Sequence, residues 1–492
     1  MEVSVIAGIA GIFGELGEEK SVEKMLNSLR HRGPDSSRIY RRGQLAAGVV
    51  ASELGEACGD GYAEEDDIVV LFDGEIYNKR HNGMSDADIA LDLYREYGRT
   101  FPSHLAGVFA CAIHDGSKII LARDSVGVRP LYWGKTKEGN LCFASEMKAL
   151  VGIAVDVWEL RPATTYCSLA GIGEYLPSYP KIAIPDSPKD AAKKLRENLF
   201  QAVERRLEDG AVGGMLLSGG LDSSIIAAIA NELRPGLLAF TVGTEGAPDV
   251  KNAIIMAEHL GIEHHIHYFK SEDIVKLVPE AVKRLESFDE DCISGAIANL
   301  FASSLASKHT NCILSGEGGD ELFGGYHLLK QLPTEDERLK MMGYLIDVAY
   351  NTALQRLDRA MMANSINYRT PFIDTEMIAF ALQIPVSWKI YSNGDGKLIE
   401  KWLLREAFRD MLPERIYMRE KLRFSGGTGV DDVIDSLLQD EIEACGIDRE
   451  PYHTDAGYNL NTPKELLYYT LFKRDYPLPA FERLIGRWDP GK

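Results

Sequence analysis

The chain has 492 residues, of which 45% are hydrophobic and 26% charged, a composition typical of soluble globular proteins. Its length exceeds what one hydrophobic core usually supports, so we expect two or three domains. Lys and Arg total 54 against 74 Asp and Glu, which gives a net charge of −20. Because nucleic-acid binding needs a basic surface, we expect no nucleic-acid partner.

Short strand patterns separated by glycine dominate the first part of the chain. Two helical patterns interrupt them, at residues 21–30 and 86–97. Strands with few, clustered helices predict a layered α+β domain, which we assign to residues 1–176. The predicted strands cover residues 3–13, 68–72, 107–114, 118–122 and 141–144.

A proline-rich connector at residues 177–189 follows this domain, and its four prolines in a dozen residues predict a linker. Strand and helix patterns then alternate, which predicts an α/β domain with a doubly wound parallel sheet at residues 190–492. From residue 335 onward the pattern is mostly helical. The predicted strands cover residues 214–217, 237–242, 264–269 and 312–314, and the predicted helices cover residues 190–207, 223–233, 250–260 and 272–286.

A glycine- and serine-rich loop, Ser218–Ser224, connects the first strand of this sheet to a helix. Its glycines let the backbone approach a ligand closely, and its serines and the helix N-terminus offer donors to an anion. Asp222 suits a Mg²⁺ ion that bridges phosphates. This context favours an anion-binding loop over a simple glycine turn, although the Walker pattern is absent.

A second loop, residues 315–321, has the sequence SGEGGDE and also follows a predicted strand. Three acidic side chains so close together are unfavourable unless a cation or a cationic nucleophile lies nearby. Because ligands of such sheets bind at the carboxyl ends of the strands, we expect both loops to face one crevice.

The first loop resembles the pyrophosphate loop of N-type ATP pyrophosphatases, and together the two loops resemble those of asparagine synthetases and the related β-lactam synthetase. The resemblance implies a class II glutamine amidotransferase-like domain with the layered αββα fold of Ntn hydrolases, followed by an ATP pyrophosphatase domain. Further motifs occur in family order at residues 31–35, 74–78, 123–132, 144–150, 369–374 and 421–429.

By this resemblance, the second domain adenylates a carboxylate, releases pyrophosphate and transfers the acyl group to a nitrogen nucleophile, with ATP and Mg²⁺ required. Glu317 would support adenylate formation and deprotonate the nucleophile, and Lys421 would stabilise charge on the reacting phosphorus. Asp222 and Asp320 would be the Mg²⁺ ligands. The adenosine site would include Leu216, Val242, Ser315 and Gly316. The pyrophosphate site would include Ser218, Gly219, Gly220, Asp222, Ser223 and Ser224.

The amidotransferase-like half departs from the family pattern at three places. The position of the nucleophilic cysteine is Ala7, which has no nucleophile. The asparagine of the oxyanion hole is Asp73, an anion where negative charge would have to be stabilised. Residues 45–51 lack the arginine that binds the glutamine carboxylate, and only Asp86 keeps its family position. We therefore predict that the protein has no glutaminase activity.

The synthetase-like half keeps the adenylation residues but changes the substrate contacts. The segment Asp291–Gly295 has no arginine to pair with the α-carboxylate of aspartate, and Asp291 itself would repel that group. The acid of the family motif E-x-R-x-P-F is Asn367. Glu317 differs from the tyrosine of β-lactam synthetase, so cyclisation of that type has no direct support.

Three functional hypotheses follow. The favoured one is an ATP-dependent amide-forming ligase that joins ammonia or an amine to a small-molecule carboxylate other than aspartate. The second is an ammonia-dependent asparagine synthetase, and the third is a non-catalytic scaffold or regulator. A tRNA-modifying ATP pyrophosphatase is disfavoured by the acidic charge. A homodimer remains open.

The seven cysteines are scattered without a C-x-x-C pair, so we expect free thiols in a reducing compartment. The first residues lack a secretory signal, and no apolar stretch reaches the length of a membrane span. We therefore expect a cytoplasmic protein without a membrane partner. The histidines at residues 264–267 predict packing rather than a metal site, because no further ligand has suitable spacing.

Overall fold

The computed structural model describes most of the chain. The described residues are 6–14, 19–52, 61–78, 83–177, 179–180, 182–183, 185–392, 396–434, 452–460 and 462–487.

Two antiparallel sheets of six strands each form the first half of the described chain. Their strands are β1 (Ile6–Phe13), β2 (Ser36–Arg42), β3 (Leu45–Ser52), β4 (Tyr62–Glu65), β5 (Ile68–Ile76), β6 (Gly107–Asp115), β7 (Ile119–Arg123), β8 (Tyr132–Thr136), β9 (Leu141–Ala144), β10 (Ala154–Glu159), β11 (Thr164–Cys167) and β12 (Gly171–Glu174). The strand orders are β10-β8-β9-β1-β3-β2 and β12-β11-β7-β6-β5-β4.

The two sheets pack face to face, and one helix covers the outer face of each. Alternate residues such as Val49 of β3 and Leu71 of β5 point into a shared core between the sheets. Helix α1 (Glu19–Ser28) packs on β1 and β3, and α2 (Asp86–Tyr97), which begins with a capping box at Ser85, packs on β5. This αββα arrangement confirms the predicted layered fold.

A five-stranded parallel sheet forms the centre of the second half, as predicted. Its strands are β13 (Gly214–Leu216), β14 (Leu238–Gly243), β15 (His264–Tyr268), β16 (Cys312–Leu314) and β17 (Asn367–Arg369), in the order β15-β14-β13-β16-β17. The chain builds outward from β13 to β15 on one side and then adds β16 and β17 on the other. The order therefore reverses between β13 and β16, where open α/β sheets bind their ligands.

Helices cover both faces of this sheet and form most of the C-terminal part. They are α3 (Pro188–Leu207), α4 (Leu221–Leu233), α5 (Pro248–Leu260), α6 (Ser271–Leu285), α7 (Glu290–Ala306), α8 (Gly319–Phe323), α9 (His327–Gln331), α10 (Glu335–Val348), α11 (Ala353–Met362), α12 (Thr375–Gln383), α13 (Val386–Lys389), α14 (Trp402–Phe408), α15 (Glu414–Tyr417), α16 (Phe424–Thr428), α17 (Pro463–Asp475) and α18 (Pro479–Glu482). Short strand pairs join β18 (Tyr391–Ser392) to β19 (Leu398–Ile399) and β20 (Tyr452–His453) to β21 (Asn459–Leu460).

The four helices predicted between residues 190 and 286 are all present, with boundaries within two residues of those predicted. Helix α3 begins at Pro188, inside the predicted linker, and the division at residues 177–189 stays a prediction. None of the described helices is long and apolar enough to cross a membrane. Five cysteines are described, and all are buried free thiols. Cys58 and Cys445 lie outside the described residues.

Buried ion pairs connect the two halves. Arg32, which is 0% exposed, donates from Nη1 to Asp358 of α11 at 2.8 Å and to Glu146 at 2.9 Å. Its Nη2 donates to Asp73 of β5 at 3.1 Å. Three buried carboxylates thus share one guanidinium. Glu146 also pairs with Lys148, and Asp358 with Arg129 and Arg359, whereas Arg32 is the only ion-pair partner of Asp73 among the described residues.

A second buried pair joins Glu75 of β5 to Arg369 of β17, with an Nη2–Oε1 distance of 2.7 Å. Burial alone would raise the pKa of Glu75, but Arg369 and a hydrogen bond from Tyr77 lower it to about 2. Because the folded-state pKa lies below the unfolded one, the pair stabilises the fold fully above about pH 4.5 and progressively less as the pH falls toward 2.

We expect Glu75→Gln to lower the free energy of unfolding at pH 7 by about 3 kcal/mol, because it removes the fully buried partner of Arg369 and leaves only the more exposed Asp209 to compensate the guanidinium. This difference should shrink as the pH falls from 4.5 toward 2, and urea unfolding at several pH values measures it. The matched control is Glu64→Gln, an exposed glutamate of β4, which should change the stability by less than about 0.5 kcal/mol. An equal loss at pH 3 and pH 7 would contradict the interpretation.

Candidate active site

The loop between β13 and α4 has a backbone that only glycine permits at one position. Gly219 has φ = +70°, and a Cβ there would collide with the backbone of α5 at Asp249. The hydroxyls of Ser218 and Ser223 lie 2.9 Å apart at the mouth of the loop. The loop is thus pressed against α5 while its hydroxyls and the N-terminus of α4 remain at the crevice.

The second loop, which follows β16, packs directly against the first. A Cβ on Gly316 would lie 2.7 Å from the backbone nitrogen of Ser223, and one on Gly319 would lie 2.7 Å from Cγ of Asp222. These glycines therefore allow backbone-to-backbone contact between the loops. The structure thus places both loops in one crevice at the point where the strand order reverses, as expected from the sequence.

Two lysines lie among the carboxylates of these loops. Lys421 donates to Asp320 Oδ2 at 2.6 Å. Lys401, which is 2% exposed, contacts Asp222 and lies 2.6 Å from Asp320 Oδ1. Burial alone would raise the pKa of Asp320, but Lys401 and Lys421 lower it below its usual value. For Asp222 burial prevails over Lys401, and its pKa is raised.

Lys401 was missed by the sequence analysis. It lies at the start of α14, in a helical stretch without the glycines that marked the loops, and it has a left-handed backbone with φ = +54°. Nothing in the local sequence distinguishes it from a surface lysine. The available signal was that closely placed carboxylates such as Asp222 and Asp320 need a cation nearby. The sequence analysis assigned that cation to Mg²⁺ and not to a second lysine.

Glu317 is the third acidic side chain of the crevice, and it pairs with an arginine that the sequence analysis also missed. Arg356 of α11 donates from Nη2 to Oε1 of Glu317 at 3.1 Å. Burial raises the pKa of Glu317, although Arg356 opposes the shift. The carboxyl group is therefore close to cations yet binds a proton more readily than an exposed glutamate does.

The residues predicted to contact adenosine lie at the carboxyl ends of neighbouring strands. Leu216 ends β13 and is half-buried, Val242 lies one residue before the end of β14, and Ser315 and Gly316 follow β16 directly. These positions form one edge of the sheet beside the loop Ser218–Ser224. The structure brings them together, and their role in binding adenosine stays a prediction.

A small, cation-rich cavity of about 40 Å³ lies over the first loop. Arg419 donates to the carbonyl oxygen of Gly219 at 2.5 Å and pairs with Asp249, which holds it across the loop. The residues that line the cavity include Ser218, Gly220, Lys401, Arg405, Arg419 and Lys421. Four basic side chains lie beside backbone and hydroxyl donors, as a polyanionic ligand requires. Asp249 and Glu420 also line the cavity, and each of the four basic side chains pairs with a carboxylate.

A larger cavity of about 420 Å³ continues from the acidic loop toward α7 and α11. Glu317, Asp320 and Lys421 line the end that meets the loops, and Asp291 lies on the opposite wall. Arg423 donates to Asp291 at 2.7 Å and so compensates the charge that we expected to repel a carboxylate. The cavity is therefore continuous with the crevice and available to a second ligand.

One altered position of the first half, Asp73, lies in a buried ionic cluster. Oδ2 of Asp73, which is 0% exposed, accepts from Arg32 and, at 3.0 Å, from Ser145 Oγ. Burial raises the pKa of Asp73, although Arg32 opposes the shift. Ala7 lies in β1 opposite Ala51 of the apolar strand β3. Asp86 keeps its position and accepts a hydrogen bond from the backbone of Ile76 at 3.1 Å.

The sequence analysis counted Asn367 among the changed substrate contacts. In the structure it lies at the interface between the halves. It is 1% exposed, donates to Glu75 at 2.7 Å and accepts from Arg129 at 2.9 Å. Its side chain therefore completes the interface network. The amide thus donates to an acidic side chain and accepts from a basic one at the same time.

The histidines of β15 do not form a metal centre. His264 lies 2.7 Å from the hydroxyl of Thr241, and His265 packs on the ring of His309. Across the described ranges, no group of three or more His, Cys, Asp or Glu side chains is arranged to hold a metal ion.

Two family models match the chain. The model for asparagine synthase matches residues 194–347 and 330–456, and the model for a glutamine amidotransferase domain matches residues 6–163. The amidotransferase model thus matches the first half of the chain, and the asparagine synthase model matches the second half.

Curated relatives match over almost the whole length. The chain is 31% identical to the glutamine-hydrolysing asparagine synthetase of Zea mays, over 99% of this chain and 89% of the relative. It is 33% identical to that of Brassica oleracea, over 96% of this chain and 87% of the relative. Asparagine synthetase 2 of Oryza sativa subsp. japonica is 32% identical, over 97% of this chain and 86% of the relative. The chain therefore belongs to the asparagine synthetase family of ATP-dependent carbon–nitrogen ligases.

Proposed function

We propose that the protein adenylates a small-molecule carboxylate with ATP and transfers the acyl group to ammonia or an amine, without hydrolysing glutamine. The observation that carries the proposal is the convergence of Asp222, Asp320, Lys401 and Lys421 at the contact of the two loops. A protein that kept only the fold would have no need for two lysines, one of them buried, paired with carboxylates beside a phosphate loop.

The proposed reaction has two steps. A carboxylate oxygen attacks the α-phosphorus of ATP, and the bond to pyrophosphate breaks as the leaving group stays on the loop Ser218–Ser224. Lys421 stabilises the charge that gathers on the phosphoryl oxygens in the transition state. The nitrogen nucleophile then attacks the acyl carbon, AMP leaves, and Glu317 accepts the proton that the nitrogen loses.

The carboxylates fit the Mg²⁺ ion that such a reaction uses. Asp222 and Asp320 both point at the ammonium of Lys401, and within the described chain Oδ1 of Asp222 has no hydrogen-bond partner. Mg²⁺ is commonly held by one or two carboxylates together with substrate phosphates. Asp222 and Asp320 would hold the ion, and the ion would supply charge neutralisation at the phosphates.

We expect the purified protein to release no glutamate from glutamine, because Ala7 lacks a nucleophile and Asp73 places a buried carboxylate where an oxyanion would form. Glutamate release under anaerobic conditions measures this, with ammonium chloride as the alternative nitrogen source. Amide formation with ammonium but not with glutamine is the expected result. Glutamate release at the rate of amide formation would contradict it.

The exchange of labelled pyrophosphate into ATP, run against a panel of carboxylates, tests the proposed activity. We expect exchange to depend on a carboxylate other than aspartate. Exchange with aspartate alone would support an ammonia-dependent asparagine synthetase instead. If none of the carboxylates supports exchange, the result would favour a non-catalytic scaffold. Homodimer formation and a cytoplasmic location remain predictions from the sequence.

A further inference from the structure

A third cavity lies between the two halves, behind the acidic loop. Its volume of about 610 Å³ lies in the range of about 300–1,000 Å³ typical of small-molecule sites. It shares no lining residue with the two cavities of the candidate active site. Gly318 and Glu321 of the loop line this cavity, whereas Glu317 and Asp320 line the cavity of about 420 Å³. The acidic loop therefore separates two distinct spaces.

One wall of the third cavity is a single face of α10. Gly343, Ile346 and Asp347 line it, and their spacing of three and four residues places them on one side of the helix. A Cβ at residue 343 would meet no other atom within 4 Å. The cavity is therefore open beside Gly343, and a large side chain at that position has room to enter it.

Glu321 is the acidic side chain of the loop that pairs with no cation. The other two, Glu317 and Asp320, both pair with basic side chains. Glu321 is 5% exposed, and its Oε1 accepts a hydrogen bond from the hydroxyl of Tyr326 at 2.5 Å. Its Oε2 is buried without a hydrogen-bond partner among the described residues. Because a buried carboxylate without a cation is unfavourable, this side chain suits a positively charged partner.

The remaining lining of the third cavity indicates what kind of cation fits. Two acidic side chains, Glu321 and Asp347, line it against one basic side chain, Arg161, which is exposed. Most of the other lining residues are apolar. A complementary ligand therefore combines a positive charge with an apolar body.

We infer that the third cavity binds an organic ammonium cation, whose charged group contacts Glu321 and whose apolar body packs between the two halves. The inference goes beyond the proposed reaction and does not rest on it, because this binding requires neither ATP nor a carboxylate. The ligand lies directly behind the loop that carries Glu317 and Asp320, and it leaves both cavities of the candidate active site open.

The test uses three probes of similar shape and different charge. Phenethylamine is the cation, 2-phenylethanol is its neutral counterpart, and 3-phenylpropionate is the anion. Each is titrated into the full chain without ATP, and isothermal titration calorimetry measures the Kd. We expect phenethylamine to bind about 30-fold more tightly than 2-phenylethanol, because only the amine pairs with Glu321. Glu321→Gln should reduce this preference to about 1, since glutamine keeps the shape of the side chain but not its charge.

Asp291→Asn is the matched control for the loss of a carboxylate. Asp291 lines the cavity of about 420 Å³ and not the third cavity. This variant should therefore keep the preference for the amine within about threefold of the wild type.

A second variant tests the location without removing a charge. Gly343→Trp should place a large side chain in the cavity and weaken the binding of phenethylamine by about tenfold or more. The matched control is Leu339→Trp, an exposed position one turn earlier on α10 that does not line the cavity. It should leave the Kd unchanged.

Several results would overturn the inference. Equal binding of phenethylamine and 2-phenylethanol, tighter binding of 3-phenylpropionate, or no measurable binding of phenethylamine would each refute the cation site. A preference that persists in Glu321→Gln, or disappears in Asp291→Asn, would assign the amine to another part of the molecule. Pyrophosphate exchange is measured separately, so failure of the titrations leaves the proposed function standing.

Discussion

Replacing Lys421 by alanine is expected to lower carboxylate-dependent ATP–pyrophosphate exchange by about 1,000-fold. Its ammonium lies 2.6 Å from Asp320, at the contact of the two loops, where the phosphoryl oxygens gain charge in the proposed transition state. Removing one fixed positive or hydrogen-bonding group that stabilises such charge commonly costs about 100- to 1,000-fold in rate. Asp222→Ala should lower the rate of exchange by a similar factor, because it removes one of the two carboxylates proposed for Mg²⁺.

The fold should tolerate the loss of Lys421, because Lys401 still compensates both Asp222 and Asp320. The thermal midpoint of Lys421→Ala should therefore stay within a few degrees of the wild type. Lys194→Ala is the matched control, an exposed lysine of α3 that lines neither cavity of the site, and it should leave exchange unchanged. Undiminished exchange in Lys421→Ala would refute the role given to this residue.

Replacing Arg32 by methionine is expected to produce the largest loss of stability. The substitution keeps most of the apolar stem but leaves Asp73, Glu146 and Asp358 without the guanidinium that they share. Removing one partner of a buried ion pair commonly lowers the free energy of unfolding by about 3–5 kcal/mol. We expect a loss within that range, because Asp73 loses its guanidinium entirely, while Glu146 keeps Lys148 and Asp358 keeps Arg129 and Arg359.

Arg41→Met provides the control for this prediction. Arg41 pairs with Glu19 at the surface of the same half, with about half of each side chain exposed, and its loss should change the stability by less than about 0.5 kcal/mol. Denaturant unfolding followed by far-UV circular dichroism measures both variants. Equal stability of Arg32→Met and Arg41→Met would show that the buried cluster does not hold the halves together.

The chemistry-bearing loops were predictable because their sequences are locally unusual. Glycines beside serines and acidic residues have few uses other than close backbone approach to a ligand, and a helix and a strand flank them. The contact of Gly316 with the backbone of Ser223 shows the physical basis, since the motif requires glycine for packing as well as for binding. The parallel sheet was also predictable, because strand and helix patterns alternate along the second half of the chain.

The residues that complete the site were not predictable from local sequence. Lys401 and Arg356 reach the loops from helices 179 and 39 residues away from their partners Asp222 and Glu317. Each lies in an ordinary helical stretch, and only the tertiary fold brings it to the carboxylates. Strand β17 was missed for a related reason, because Asn367 and Arg369 are polar side chains buried through partners in the other half.

The interface also gives the first half a structural role toward the second. Asp358 of α11 and Arg369 of β17 belong to the second half, yet Arg32 and Glu75 of the first half compensate their charges. A shortened protein that began after residue 176 would lose both partners and keep only Arg359 for Asp358 and Asp209 for Arg369. The first half thus supplies charged partners that fix the position of β17 and of α11, the helix that also carries Arg356.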